Sequence, residues 1–248
     1  MFMRNLKVFT AYCGTAYHGF QRQENAVGVQ NVLEEKLSLL TNGDVKINGC
    51  SRTDTGVHAK EYCFSFETEH GIPCNNIIRG MNSILPDDIS ILSCEEVPAD
   101  FHARYSCIAK EYEYLILNRQ SKDPFLAGRA LHYPFRLDIP LIEKAAQDFV
   151  GTHDFTSFCG TANLKENTVR TIEYFKVQQS ECENLVKLIV KGDGFLYNMV
   201  RIMVGTLIFI NENKLEAGSV PKILEAKDRN LAGKTIGAQG LYLNRVFY

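Results

Sequence analysis

Lys110-Glu111-Tyr112-Glu113-Tyr114-Leu115-Ile116-Leu117 is where this chain begins its pattern a second time. Tyr112, Tyr114 and Ile116 recur at every second position, the signature of a strand. Upstream, Leu6–Tyr12 reads as a strand and Gly14–Gln23 as a loop. Val29–Leu40 reads as a helix, because Val29, Val32, Leu33, Leu37 and Leu40 fall on one face. Val45–Cys50 is expected to be a short strand, and Tyr62, Phe64 and Phe66 alternate in another. A helix over Asn75–Leu85 should stop before Pro86, since a residue preceding proline avoids the helical region. Ile89–Val97 closes the first half as a strand.

Downstream of Lys110–Leu117 the order repeats. Asp138–Val150 reads as a helix, with Asp138 as cap, Pro140 in the first turn and Gly151 as terminator. Arg170–Val177 and Leu185–Lys191 read as an antiparallel pair, followed by a hairpin-like turn at Gly192-Asp193-Gly194. Phe195 to about Asn211 is expected to be a long helix, and Leu241–Phe247 a last strand. Two strand–helix–strand–strand–helix–strand runs predict an α+β fold of two ferredoxin-like (RRM-like) halves, residues 1–105 and 106–248. Their strands would join one mixed, mostly antiparallel sheet flanked by helices.

Composition narrows the function classes. The 248 residues are 45% hydrophobic and 23% charged, as in ordinary globular chains. No apolar run approaches the ~18 residues of a membrane helix. Met1–Thr10 alternates and carries Arg4 and Lys7, unlike a secretory leader. Eight cysteines contain no C-x-x-C pair, so neither a zinc site nor an oxidising compartment is indicated, and a cytoplasmic protein is expected. His58, His102 and His153 are too scattered for metal-ligand spacing. The net charge of −2 does not advertise a nucleic-acid binder, although a local basic cleft is compatible with it.

The chemistry-bearing stretch is Gly49-Cys50-Ser51-Arg52-Thr53-Asp54-Thr55-Gly56-Val57-His58-Ala59. A bare Asp-Thr-Gly is most often just a turn. Here Arg52 stands two residues before Asp54, on the same side of an extended segment. A cation there favours an ionised carboxylate, suited to act as nucleophile or base. The same triplet occurs in aspartic proteases, a distant third reading, because that chemistry needs a second carboxylate and no second Asp-Thr-Gly or Asp-Ser-Gly is present. Tyr112 is either a half-buried strand aromatic or a ring that stacks on a base. Arg201 lies in an almost wholly apolar helix and must have a partner: Asp54, or some other carboxylate.

Six ordered segments resemble the TruA-type tRNA pseudouridine synthases (pseudouridine synthase I). They are Tyr12–Gln23, Arg52–Ala59, Phe101-His102-Ala103-Arg104-Tyr105, His153–Phe158, Asn198–Gly205 and Gly240-Leu241-Tyr242-Leu243. The resemblance implies an isomerase that cleaves the C1′–N1 bond of uridine, turns the base and rejoins it through C5. It implies Asp54 as the essential carboxylate and Arg52 as the group that displaces and holds the nucleotide. Tyr112 would stack on the uracil and Arg201 would pair with Asp54. Thr53, His58, Arg22 and Arg104 join Arg52 and Tyr112 as expected substrate-binding residues. The resemblance further implies no metal or organic cofactor, no membrane partner, a homodimer, and a site in a cleft between the halves. The substrate would be tRNA, at uridines 38, 39 and/or 40 of the anticodon stem-loop. Cys13 and Phe20 depart from the family's usual Asp and Trp, and Lys110-Glu111-Tyr112-Glu113 is less basic than usual. These departures allow a paralogue with a restricted or different set of RNA uridines; a noncatalytic RNA-binding module is the rival class, since two ferredoxin-like units with exposed aromatics are a common RNA platform.

Overall fold

The computed structural model describes residues 3–160, 167–180 and 184–248; Cys182 lies outside them. The described chain forms two compact units, one running to Ile108 and including Leu243–Tyr248, the other spanning Ala109–Tyr242. The fold is α+β and its strand pairing mostly antiparallel.

The first unit contains β1 (Arg4–Tyr12), α1 (Val29–Thr41), β2 (Asn48–Gly49), β3 (His58–Thr68), α2 (Cys74–Ile84) and β4 (Ile89–Val97). Its strands lie in the order β4-β1-β3, antiparallel, with Val8 opposite both Cys94 and Phe64. Leu33 and Leu37 of α1 and Ile77 and Met81 of α2 are buried with Leu6, Val8, Phe64 and Phe66 of the sheet. α1 runs over Val29–Thr41, within a residue of its expected span, and ends where Asn42 turns left-handed. The strand expected over Val45–Cys50 shrinks to Asn48–Gly49. Its backbone is used otherwise: Val45 N–H donates to Ser38 Oγ at 3.1 Å and Ile47 N–H to Glu34 Oε1 at 3.1 Å. Donors committed to α1 side chains cannot also build a ladder. In β3 the residues between the alternating aromatics, Cys63 and Ser65, are buried too. The segment after β4 covers that second face, with Ala103 N–H donating to Ser65 Oγ and Tyr248 Oη donating to Ala103 O.

The second unit contains β5 (Ala109–Leu117), β6 (Leu131–His132), α3 (Ile139–Gln147), β7 (Gly151–Asp154), β8 (Val169–Ser180), β9 (Leu185–Gly192), α4 (Met199–Asn211) and α5 (Val220–Ala226). Strand order is β5-β9-β8-β7, antiparallel, with β6 parallel to β5. The last strand, β10 (Leu241–Phe247), starts in this unit and finishes in the first. Asp138 caps α3 as expected, its carboxylate accepting from Leu141 N–H at 3.1 Å, although the helix ends at Gln147 rather than Val150. Gly192-Asp193-Gly194 is not a hairpin turn: β9 ends there and the chain proceeds to α4. That helix begins at Met199, four residues later than its apolar run suggests. Asn198 sits at φ +61°, ψ +5°, a left-handed conformation that cannot belong to a right-handed helix. α5 lies in a stretch for which periodicity predicted no helix. No helix among the described residues is long and apolar enough to cross a membrane.

Two glycines set the position of α4. A Cβ on Gly205 would lie 1.9 Å from the Lys234 carbonyl oxygen, and one on Gly233 would lie 2.5 Å from the Gly205 and Thr206 backbone. Thr206 Oγ1 accepts the Gly233 N–H at 2.8 Å. Backbone meets backbone here, which only glycine permits.

Candidate active site

Asp54 occupies the loop entering β3. Val57 N–H donates to the Asp54 carbonyl at 3.1 Å, and Gly56, with φ +78°, supplies the positive angle that such a turn requires. The simple reading of Asp-Thr-Gly as a turn is therefore correct, and it also describes how the carboxylate is presented. Asp54 is half-buried, Arg52 exposed, and Thr53 between them buried.

What holds this turn is the other loop of the first unit. Gly14 N–H donates to His58 Nδ1 at 3.0 Å, Gly56 N–H to Tyr17 O at 3.3 Å, and Phe20 N–H to Thr53 O at 3.2 Å. Tyr12 Oη and Thr53 Oγ1 share a hydrogen bond of 2.8 Å. The glycines allow this interlock. A Cβ on Gly14 would lie 2.0 Å from Val57 O, and one on Gly19, whose φ is +87°, would lie 2.5 Å from Thr53 O. Below the turn, Tyr62 Oη donates to Ser51 O at 2.5 Å and accepts from Ser51 N–H. Two stretches more than thirty residues apart are one structural object, and its product is the fixed position of Asp54.

The remaining expected residues of this unit divide by role. His58 is 1% exposed and its Nδ1 is an acceptor, so it clamps Gly14 from inside. Arg22 is largely exposed and pairs at 3.2 Å with the buried carboxylate of Glu34, which also accepts from Gln30 and Ile47. Arg104 lies on the surface with its guanidinium carbon 5.7 Å from the ring centre of Tyr105, itself 78% exposed. Phe20 stacks on Tyr62 with ring centres 4.0 Å apart and is buried, so this position belongs to the core. Burial, and after it the hydrogen bond to Asp88, raise the Tyr17 hydroxyl well above its ordinary value. Tyr17 thus stays a donor, reaching Asp88 Oδ1 at 2.6 Å.

Tyr112 and Arg201 belong to the second unit. Tyr112, on β5, is 7% exposed and meets Phe195 edge to face, with centres 5.0 Å apart. Phe195 is a neighbour that no motif singles out. Arg201, in the first turn of α4, donates from Nε to Ile236 O at 2.7 Å and from Nη1 to Asn198 Oδ1 at 2.7 Å. The left-handed Asn198 that delays the helix thus also orients the guanidinium. Asp154, in another of the matched segments, has a structural task. Its Oδ1 accepts from Thr156 N, Thr156 Oγ1 and Thr168 Oγ1, and its Oδ2 meets Lys227 Nζ at 2.8 Å. Among the described residues, no group of three or more His, Cys, Asp or Glu side chains is arranged to hold a metal ion.

A fixed carboxylate in a glycine-built turn, with an arginine two residues before it, defines a group positioned for nucleophilic or base chemistry. Comparison with known proteins gives the family. The sequence profile described as tRNA pseudouridine synthase matches residues 8–106 and 145–248, a span that includes Asp54 and Arg201 but not Tyr112. The tRNA pseudouridine synthase A of Acetivibrio thermocellus is 44% identical over 246 residues, covering 99% of this chain and all of that protein. The enzyme of the same name from Clostridium acetobutylicum matches equally, at 44% over 246 residues. That of Staphylococcus saprophyticus is 42% identical over 237 residues, 96% of this chain and 88% of its own. The chain belongs to the tRNA pseudouridine synthase family and is an isomerase.

Proposed function

We propose that this enzyme converts uridine to pseudouridine in the anticodon stem-loop of tRNA, at one or more of positions 38, 39 and 40, and that it acts as a cytoplasmic homodimer without cofactor. The observation that carries the reading is the interlock of Tyr12–Phe20 with Thr53–His58, which concentrates glycines, hydrogen bonds and buried aromatics on holding one carboxylate. A module that only bound RNA would gain nothing by fixing a negative charge toward a phosphate-rich ligand.

In this mechanism Asp54 is the group that acts on the uridine once its glycosidic bond is to be broken. A base within a stem must leave the stack first, at a cost of a few kcal/mol. The exposed Arg52 fills the vacated space and contacts phosphate, and the Tyr112 ring, kept upright by Phe195, lies against the uracil while it turns. Arg201, oriented by Asn198 and Ile236, is the counter-charge for Asp54 implied by the family resemblance. Thr53 and His58 act through the loop, whereas Arg22 and Arg104, both on the surface, offer charge to the RNA backbone. The test is incubation with unmodified tRNA followed by pseudouridine mapping. Product at positions 38–40 is expected; binding of tRNA with no product at any uridine would replace the isomerase reading with the noncatalytic one.

A further inference from the structure

Tyr114 follows Tyr112 at the next position on the same face of β5, yet it is completely buried and the mechanism above gives it no step. A phenylalanine would fill the same volume without a hydroxyl to satisfy. The hydroxyl is used. Tyr114 Oη donates to the Gly237 carbonyl at 2.6 Å. Its ring lies on the Gly240 backbone, where an added Cβ would come within 2.8 Å of ring carbons Cε1 and Cζ. Burial raises the Tyr114 hydroxyl well above its ordinary value, and the charge of Arg201 only partly opposes this, so the group remains a donor.

The carbonyl that Tyr114 holds is next to the one that holds Arg201. Residues 233–237 form a strap with side chains fastened along it. At one end Gly233 N–H donates to Thr206 Oγ1 at 2.8 Å, and the Lys234 carbonyl abuts Gly205. In the middle Thr235 Oγ1 accepts from Arg229 Nη2 at 3.1 Å, and Ile236 O accepts from Arg201 Nε at 2.7 Å. At the other end Gly237 O is taken by Tyr114. Two consecutive carbonyls are thus pinned from different elements, one by a residue of α4 and one by a residue of β5. Because peptide units are planar, only φ and ψ of Gly237 separate these two carbonyls. Fixing the second therefore restrains the first.

We infer that Tyr114 is a positioning residue for Arg201: its hydroxyl fixes the Gly237 carbonyl, and through it the adjoining Ile236 carbonyl against which the guanidinium is set. This rests on the proposed role of Arg201 as counter-charge for Asp54. A guanidinium presents its donors in a rigid planar fork. Its acceptors at Nε and Nη1, Ile236 O and Asn198 Oδ1, together define that plane. Removing the Tyr114 hydroxyl leaves the ring packed on Gly240 and frees one of these two acceptors to move.

The test is a double-mutant cycle read in single-turnover pseudouridine formation at saturating enzyme, with tRNA binding measured beside it. Tyr114→Phe should slow the chemical step roughly tenfold, less than the ~100-fold expected of a full 1 Å displacement, while tRNA binding stays at the parental level. Arg201→Lys replaces the planar fork by a point charge and should be slowed at least as much. Adding Tyr114→Phe to Arg201→Lys should then cost less than about twofold more, because the group it acts through no longer depends on that carbonyl. A folded Tyr114→Phe with the parental rate, a loss confined to tRNA binding, or a double variant slowed by the product of the two single effects would overturn the proposal and leave the role of Arg201 standing. Arg201→Lys at the parental rate would overturn it too, since the fork would then not matter. Arg201→Ala at the parental rate would remove the counter-charge reading itself, and the proposal with it. Where Tyr114→Phe fails to fold, Thr206→Val frees the other end of the strap and enters the same cycle, judged by the same outcomes.

Discussion

Replacing Gly19 by alanine probes the claim that one loop exists to position the other. At Gly19 the backbone has φ +87°, and an added Cβ would lie 2.5 Å from the carbonyl oxygen of Thr53. An ordinary contact begins near 3.4 Å, so Thr53, and with it the neighbouring Asp54, must move by about 0.9 Å. The positive φ alone costs roughly 1–2 kcal/mol for a residue with a Cβ. The steric conflict adds roughly 1–3 kcal/mol, typical of overpacking. Displacing a catalytic group by about 1 Å costs on the order of 100-fold in rate. Gly218 is the matched control: its φ is +78°, but nothing lies within 4 Å of the added Cβ. Gly218→Ala should therefore show the backbone strain alone, about 1–2 kcal/mol, with unchanged turnover. The assay is denaturant unfolding of each variant, paired with single-turnover pseudouridine formation. If Gly19→Ala is no more destabilised than Gly218→Ala and turns over at the wild-type rate, the interlock does not set the position of Asp54.

Asp54→Asn should bind tRNA and unfold like the parent while forming no measurable pseudouridine; residual turnover within tenfold of the parent would remove Asp54 from its role. Tyr12→Phe loses the 2.8 Å bond to Thr53 and should cost about 1 kcal/mol in stability with a smaller loss of rate than Gly19→Ala, as measured by the same two assays. Burial opposes ionisation of Asp154, but hydrogen bonds from Lys227, Thr156 and Thr168 outweigh it and hold the carboxyl below its ordinary range. A depressed carboxyl contributes stability that is complete above the unfolded value, near pH 4, and is lost as pH falls toward the folded one. Melting temperature should thus fall more steeply below about pH 4 in the parent than in Asp154→Asn; parallel acid profiles would refute this.

The succession of elements was largely readable, because apolar period reports which face of a segment is buried. Val29–Thr41, Ile89–Val97 and Leu241–Phe247 follow their pattern to within a residue. It misled where a non-local or single-residue choice overrode period. Val45–Ile47 gave its donors to Ser38 and Glu34, and Asn198 turned left-handed inside an apolar run.

The candidate site divides along the same line. The residue types around Asp54, and the family they resemble, stand in the sequence itself, since chemistry requires those side chains in that local order. Why Gly14 and Gly19 are glycines, why His58 is buried, and why Phe20 belongs to the core appear only once Tyr12–Phe20 is seen against Thr53–His58. Local order fixes which groups are present. Close approach between segments distant in the chain fixes where they point, and tertiary packing alone brings such segments together.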